Sequence, residues 1–262
     1  MGDADDGGRP MTAAGTEPSN RVIVYPRVDA RSGGANVAGR ARAAAGPRVQ
    51  RRAMSVEVAE HIRSMIFDGR LEAEQRVPQD AIAEELGVSR LPVREALITL
   101  EADGLVASEP HRGTFVVPIR SEDITDHYRL YGMAQGLAAA GAVRRITEPV
   151  LARLDELHAQ MCASDDPDLL HDLNWEFHSL INKTGASRRT LSVLRHLSHN
   201  LPREVYSLPA AASPQANRGH ARIIAALRAG DEAEADLANR EHVRLEGDQV
   251  VAALKRRGVL AD

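Results

Sequence analysis

The sequence predicts a mostly α-helical chain in two parts: a helix-turn-helix backed by a small β-hairpin, then an all-α helical bundle. Three observations predict it. Two short amphipathic segments meet at Gly87. Two short runs that look like strands then flank a turn containing Pro110 and Gly113. From residue 122 onward, apolar residues keep helical spacing almost without interruption.

The first helix of the head is expected over residues 79–86 and must stop abruptly at Gly87, where a residue without a Cβ enters the left-handed region at little cost. Ser89 then stands where its hydroxyl can cap the next helix by accepting from free amides. On that second helix Val93, Ala96, Leu97 and Leu100 recur at three- and four-residue spacing and form an inward stripe, and Gly104 ends it. Arg90 and Arg94 lie one turn apart on another face. Guanidinium groups there suit phosphate oxygens or the O6/N7 edge of guanine, although solvated arginines are common on helices. Strands are expected over 105–108 and 114–117, with His111 and Arg112 at the tip of a wing able to meet a groove or brace the backbone.

These residues carry a resemblance. The stretches 87–97, 101–106 and 110–116 resemble the winged helix-turn-helix of GntR-type bacterial transcriptional regulators in register. The resemblance implies that Ser89, Arg90 and Arg94 contact double-stranded operator DNA from the recognition helix, and Arg112 with Gly113 from the wing. Some members carry a further DNA-contacting arginine early in the preceding helix; Asp80 stands there, so that contact is not carried over.

Charge sets a limit. The chain is formally −4, and residues 54–120 hold seven Arg against twelve acidic residues, so attraction to phosphate must be local and its salt dependence modest. Residues 1–53 are rich in Gly, Ala and Arg, lack any apolar period and read as a disordered extension. Either its excess of arginine over acidic residues helps hold DNA, or the segment is dispensable and Met54 is the start. No apolar stretch suits a secretion signal or a membrane span, which fits a cytoplasmic protein with no membrane partner. Cys162, the single cysteine, excludes an intramolecular disulfide, and a thiol at least partly buried for packing is expected, with no histidine partner evident in its flanks.

Breaks at 147–149, 165–167, 185–187, 208–214 and 230–231 divide the remainder into six or seven helices. Aromatic residues make up only 3% of the chain, so Leu, Ala, Val and Ile must fill the core, and the Ala-rich run 136–143 points to closely packed helices. Asn174 and His178 are four residues apart and share a helix face. His220, expected to open a helix, and His242 in the last helix complete a set of three imidazoles and one amide oxygen suited to a divalent ion. Solvent-facing or structural histidines are the alternative.

The segments 174–178, 220–231 and 241–242 resemble the FCD effector domain, the FadR-like C-terminal domain of one GntR branch. In metal-binding members an Asp or Asn and three His hold a metal such as zinc or nickel, and open positions accept a small carboxylate. The resemblance thus implies Asn174, His178, His220 and His242 as ligands, a small organic acid as effector, and a homodimer. It also divides the chain into the extension 1–53, a DNA-binding domain 54–120 and an effector-binding and dimerisation domain 121–262. The family commonly has an Arg and a Glu on the first bundle helix; here Tyr131 is followed by Ala134, Leu137 and Ala138, leaving the anion to the metal, Arg203, Arg218 or a residue the sequence does not place.

A ligand-responsive regulator, not an enzyme, is the reading that absorbs most of these features. Two others stay open: a helical-bundle metalloenzyme, which lacks an evident general base because Glu176 and Glu241 should face elsewhere, and a DNA-binding dimer whose bundle is only structural.

Overall fold

The computed structural model describes residues 47–202, 205 and 213–262. The expected disorder of the extension lies outside the described residues up to residue 46, while residues 47–53 form the first turns of a helix. The head consists of α1 (Pro47–Phe67), α2 (Gln79–Glu85), α3 (Arg90–Ala102), β1 (Val106–Glu109) and β2 (Gly113–Val116). Val93, Ala96, Leu97 and Leu100 of α3 are buried against Val58, Ile62 and Ile66 of α1, as the stripe predicts. Gly87 and Gly104 both take positive φ, +62° and +76°, where the chain leaves one element for the next.

The two strands pair antiparallel with Val106 opposite Val116 and Glu109 opposite Gly113, one residue displaced from the expected runs. Residues 74–77 lie along the free edge of β2: the Glu74 and Val77 amides donate to the Val116 and Thr114 carbonyls, and the Val116 amide donates to Gln75. The second edge of β2 is therefore paired as well.

Six further helices follow among the described residues: α4 (Ser121–Val143), α5 (Glu148–Ala163), α6 (Pro167–Gly185), α7 (Arg188–His199), α8 (Pro214–Ala229) and α9 (Glu232–Arg257). Asp166, Ser187, Ser213 and Asp231 each accept a backbone amide at the start of a helix, which places the boundaries close to the expected breaks. His220 does not open its helix. Ser213 caps α8 ahead of Pro214, a proline whose fixed φ suits the first turn, so His220 sits in the second turn.

Small residues bring these helices together. A Cβ on Gly136 would strike Asp236 of α9, one on Gly247 would stand 2.6 Å from the Tyr128 Cβ, and one on Gly185 would strike the backbone of α4 at Ala138 and Ala142. The Ala-rich run of α4 thus lies between α6 and α9 at backbone distance, as the sequence suggested. Two buried clusters result. One fills the bundle with residues such as Leu154, Phe177 and Ile223. The other is continuous from the head into the second part, joining Ile62 and Leu100 to Ile124, Tyr128 and Leu254.

Arg63 of α1 and Asp103, the C-terminal cap of α3, form a buried ion pair 2.7 Å apart with 6% and 4% of their side chains exposed. Removal of either partner strands a buried charge, at a cost of about 3–5 kcal/mol. Gly185→Ala is expected to lower stability by about 1–3 kcal/mol through overpacking against rigid backbone; chemical denaturation followed by circular dichroism checks this, and an unchanged midpoint would show that α4 and α6 separate easily.

Candidate nucleic-acid interface and metal centre

Ser89 occupies the cap position of α3, but its side chain makes no capping hydrogen bond. This corrects the expected role: its β-region backbone meets the cap geometry, while the hydroxyl contributes nothing to the helix end. Arg90 and Arg94 are exposed near the start of α3. The Arg90 Nε lies 2.8 Å from Asp80 Oδ1 of α2, so the acidic residue early in the preceding helix engages the first of the two arginines. At the wing tip His111 takes φ +63° and Gly113 φ +112°. Arg112 pairs with Glu109 and its guanidinium lies 5.5 Å from the Phe115 ring centroid.

Gly113 has a second reason to lack a side chain. A Cβ there would lie 2.7 Å from the Arg76 Nε, because the segment pairing with β2 lays Arg76 across the wing. Sequence reasoning missed this cation, which reaches the wing from the loop between α1 and α2. Ser108 donates through both its amide and hydroxyl to Glu101, fixing the wing to the recognition helix.

In the bundle, His178 of α6, His220 of α8 and His242 of α9 converge, with one potential ligand nitrogen from each lying within 4.8 Å of the others. All three are buried, at 6%, 0% and 3% exposure. Their convergence follows from the packing. His242 rests on the backbone of α8 at Gly219, where a Cβ would collide with its ring, and the His220 and His242 centroids are 4.4 Å apart.

Burial, reinforced by neighbouring imidazoles, pushes His178 down to about 3 and His220 well below the usual histidine range. Both are therefore neutral at pH 7, the state in which a ring nitrogen carries a lone pair for a metal. Neither nitrogen of His178 or of His220 has a hydrogen-bond partner among the described residues, and neither does the buried Oδ1 of Asn174. Unpartnered buried donor atoms of this kind fit a divalent ion. Asn174, the fourth expected ligand, is half-buried beside them and donates through Nδ2 to Glu246 at 3.4 Å.

Glu246 is the residue that sequence reasoning missed. It lies one turn beyond His242, with Oε1 3.3 Å from His242 Nε2. Burial pushes its carboxyl up, but His242, His178 and Asn174 outweigh this and hold it below the ordinary range. A carboxylate so placed can orient an imidazole or join a metal's ligands. Glu176 and Glu241 do face elsewhere, paired with Arg153 and Arg222.

The histidine cluster borders a cavity of about 850 Å³. Tyr128, Tyr131 and Gln135 of α4 line one wall, and Asn174, His178 and Glu246 line another. Where the sequence left the source of a cation open, Lys183, Arg195 and Arg63 line the cavity. Arg218 is exposed on α8 and Arg203 lies outside the described residues. Cys162, expected to be at least partly buried, is exposed, with its Sγ 3.8 Å from the His158 ring four residues earlier.

A winged helix-turn-helix head followed by an all-helical domain defines a class of DNA-binding regulators. Residues 54–116 match the gntR family of bacterial regulatory proteins and residues 126–245 match the FCD domain. The chain belongs to the GntR family and carries an FCD domain.

An uncharacterized HTH-type transcriptional regulator of Mycobacterium tuberculosis is 33% identical over 147 residues, covering 56% of this chain and 60% of that relative. The HTH-type transcriptional repressor RspR of Escherichia coli is 27% identical over 168 residues, 62% of this chain and 74% of its own. The solved structure of E. coli McbR/YncC shares the fold, with a TM-score of 0.55 at 21% identity over 78% of this chain and 98% of that one. The family and the two sequence relatives are transcriptional regulators, not enzymes. No described helix is long and apolar enough to cross a membrane.

The depressed histidines have a consequence for stability. Below about 6.5 the unfolded chain takes up protons that folded His178 excludes until about 3, so the unfolded state binds more protons and gains as pH falls. Metal-free protein is expected to lose stability progressively from pH 6.5 toward pH 4, and His178→Asn to flatten the slope; denaturant midpoints across this range check it, and a flat wild-type profile would contradict the burial of neutral imidazoles.

Proposed function

We propose that this chain is a ligand-responsive, sequence-specific DNA-binding transcriptional regulator of the GntR type. Two heads of a homodimer, working in the cytoplasm, read a pseudo-palindromic operator, and the helical domain adjusts their spacing when a small organic acid binds. Arg90 and Arg94 meet base edges or phosphates from α3, with Ser89 beside them, and Arg112 and Gly113 brace the wing on the backbone. Asn174, His178, His220 and His242 hold a divalent ion, zinc or nickel, which when bound offers an open position to the effector's carboxylate. Glu246 orients His242, and Asn174 links Glu246 to α6.

The observation that carries this reading is the convergence of three buried imidazoles, those of His178 and His220 held neutral by burial, beside a cavity bordered by the head. Neutral nitrogens lacking partners in a dry core are costly unless something claims them. This favours the ligand-responsive reading over a purely structural bundle.

Replacing both His178 and His242 by alanine is expected to abolish metal retention while leaving the helical content of the circular dichroism spectrum in place. Elemental analysis of the purified protein reads the result, and one metal ion per chain in the double variant would refute the ligand assignment. Arg94→Ala is expected to weaken operator binding by about 1–3 kcal/mol if the arginine reads a guanine. Titration against operator and random duplexes decides the role, since an equal loss on both would make Arg94 a phosphate contact.

A further inference from the structure

Arg63 belongs to the head yet lines the cavity of the helical domain. Its Nη2 donates to Asp103 Oδ2 at 2.7 Å, while its Nε is buried without a hydrogen-bond partner. Nε and Nη2 form the edge on which a carboxylate docks side-on with two parallel hydrogen bonds, and Asp103 accepts from only one of the pair. The guanidinium is 6% exposed, so an N–H left unpaired there is costly.

The cavity around it has a distribution of charge. Lys183 of α6 and Arg195 of α7 are exposed along its lining, and Arg63 is buried in its wall. Glu60 and Glu246 oppose them, but Glu246 is already engaged by His242 and Asn174. At about 850 Å³ the cavity lies in the upper part of the range for small-molecule sites, roughly 300–1,000 Å³, and a three- or four-carbon acid occupies only a corner of it.

Resting on the proposed effector site, we infer that the ligand is a small dianion, with one carboxylate at the histidine cluster and a second acidic group gripped by Arg63 with Lys183 and Arg195. The ligand then touches the DNA-binding head itself. Arg63 holds Asp103 at the end of the recognition helix, and a second cavity-lining residue of α1, His61, lies 3.3 Å from Glu85 at the end of α2. An anion that shares the Arg63 guanidinium alters the hold on α3 directly, without a relay through the bundle.

The test uses full-length, metal-loaded protein and two probes of equal length, adipate and hexanoate. Adipate is expected to bind at least tenfold more tightly by calorimetry. Lys183→Gln and Arg195→Gln are each expected to weaken adipate severalfold and leave hexanoate within twofold. Arg63→Lys, which keeps the charge but loses the fork, is expected to remove most of the preference for adipate while metal content stays at the wild-type level. In wild type, adipate and not hexanoate is expected to change amide exchange in residues 99–105.

Equal affinity for the two probes, or an adipate preference untouched in both Lys183→Gln and Arg195→Gln, overturns the inference and leaves the carboxylate site standing. Failure of metal-loaded wild type to bind either probe overturns this inference and the proposed effector site together. Because Lys183 and Arg195 are exposed, their variants decide the matter even if Arg63→Lys fails to fold.

Discussion

The close approach of α4 to α6 and α9 is the constraint from which the functional geometry follows. Gly136, Gly185 and Gly247 remove the side chains that would hold these helices apart. With the Ala-rich face of α4 between them, α6 and α9 present His178 and His242 to the same point, and α8 supplies His220 from the third side. Gly219 extends the logic to α8 by letting the His242 ring lie on its backbone. Small residues that look like filler in the sequence therefore set distances between residues that look like chemistry.

The electrostatics follow from that packing. Three imidazoles brought into a dry core cannot all be charged, because each would lose its hydration and repel the others. His178 and His220 adopt the neutral form, and neutral histidines without partners are strong candidates for ligation. Glu246 is placed to compensate: it sits against His242 and Asn174 and remains ionised despite its burial. In the proposed metal site, Glu246 supplies one turn after His242 the carboxylate that Asn174 lacks.

What the sequence disclosed depended on the range of the interactions involved. Helical periodicity identified the buried stripe of Val93, Ala96, Leu97 and Leu100, and the Gly87 and Gly104 turns, because these are local matters of spacing and backbone freedom. The His178, His220 and His242 set came from resemblance to a family, with spacing alone leaving it open. Glu246 obeys the same i, i+4 spacing from His242 that links Asn174 to His178, but a glutamate on a helix rich in charged residues carries no signal of burial. The Arg63 contact with Asp103 spans forty residues and has no local signature. The Ser89 cap failed for a different reason: a favourable residue at the cap position does not dictate which way its hydroxyl turns. The pairing of residues 74–77 with β2 joins segments some forty residues apart and likewise has no local signature.

The acidic balance of the head shapes how its arginines can act. The Arg90 pair with Asp80 is 74% and 70% exposed, and pairs of that kind contribute about 0–1 kcal/mol because water screens them. Such a contact is weak enough to give way to DNA yet sufficient to bias the unbound rotamer. The Arg112 pair with Glu109 on the wing is of the same kind. In the proposed interface each of these cations therefore meets the duplex beside a carboxylate that disfavours nearby phosphates. Non-specific attraction is reduced, whereas a fork seated on a base edge still forms its two directed hydrogen bonds. A head with twelve acidic residues against seven arginines across residues 54–120 thus loses general affinity more than it loses discrimination, which is the balance a sequence-selective regulator requires.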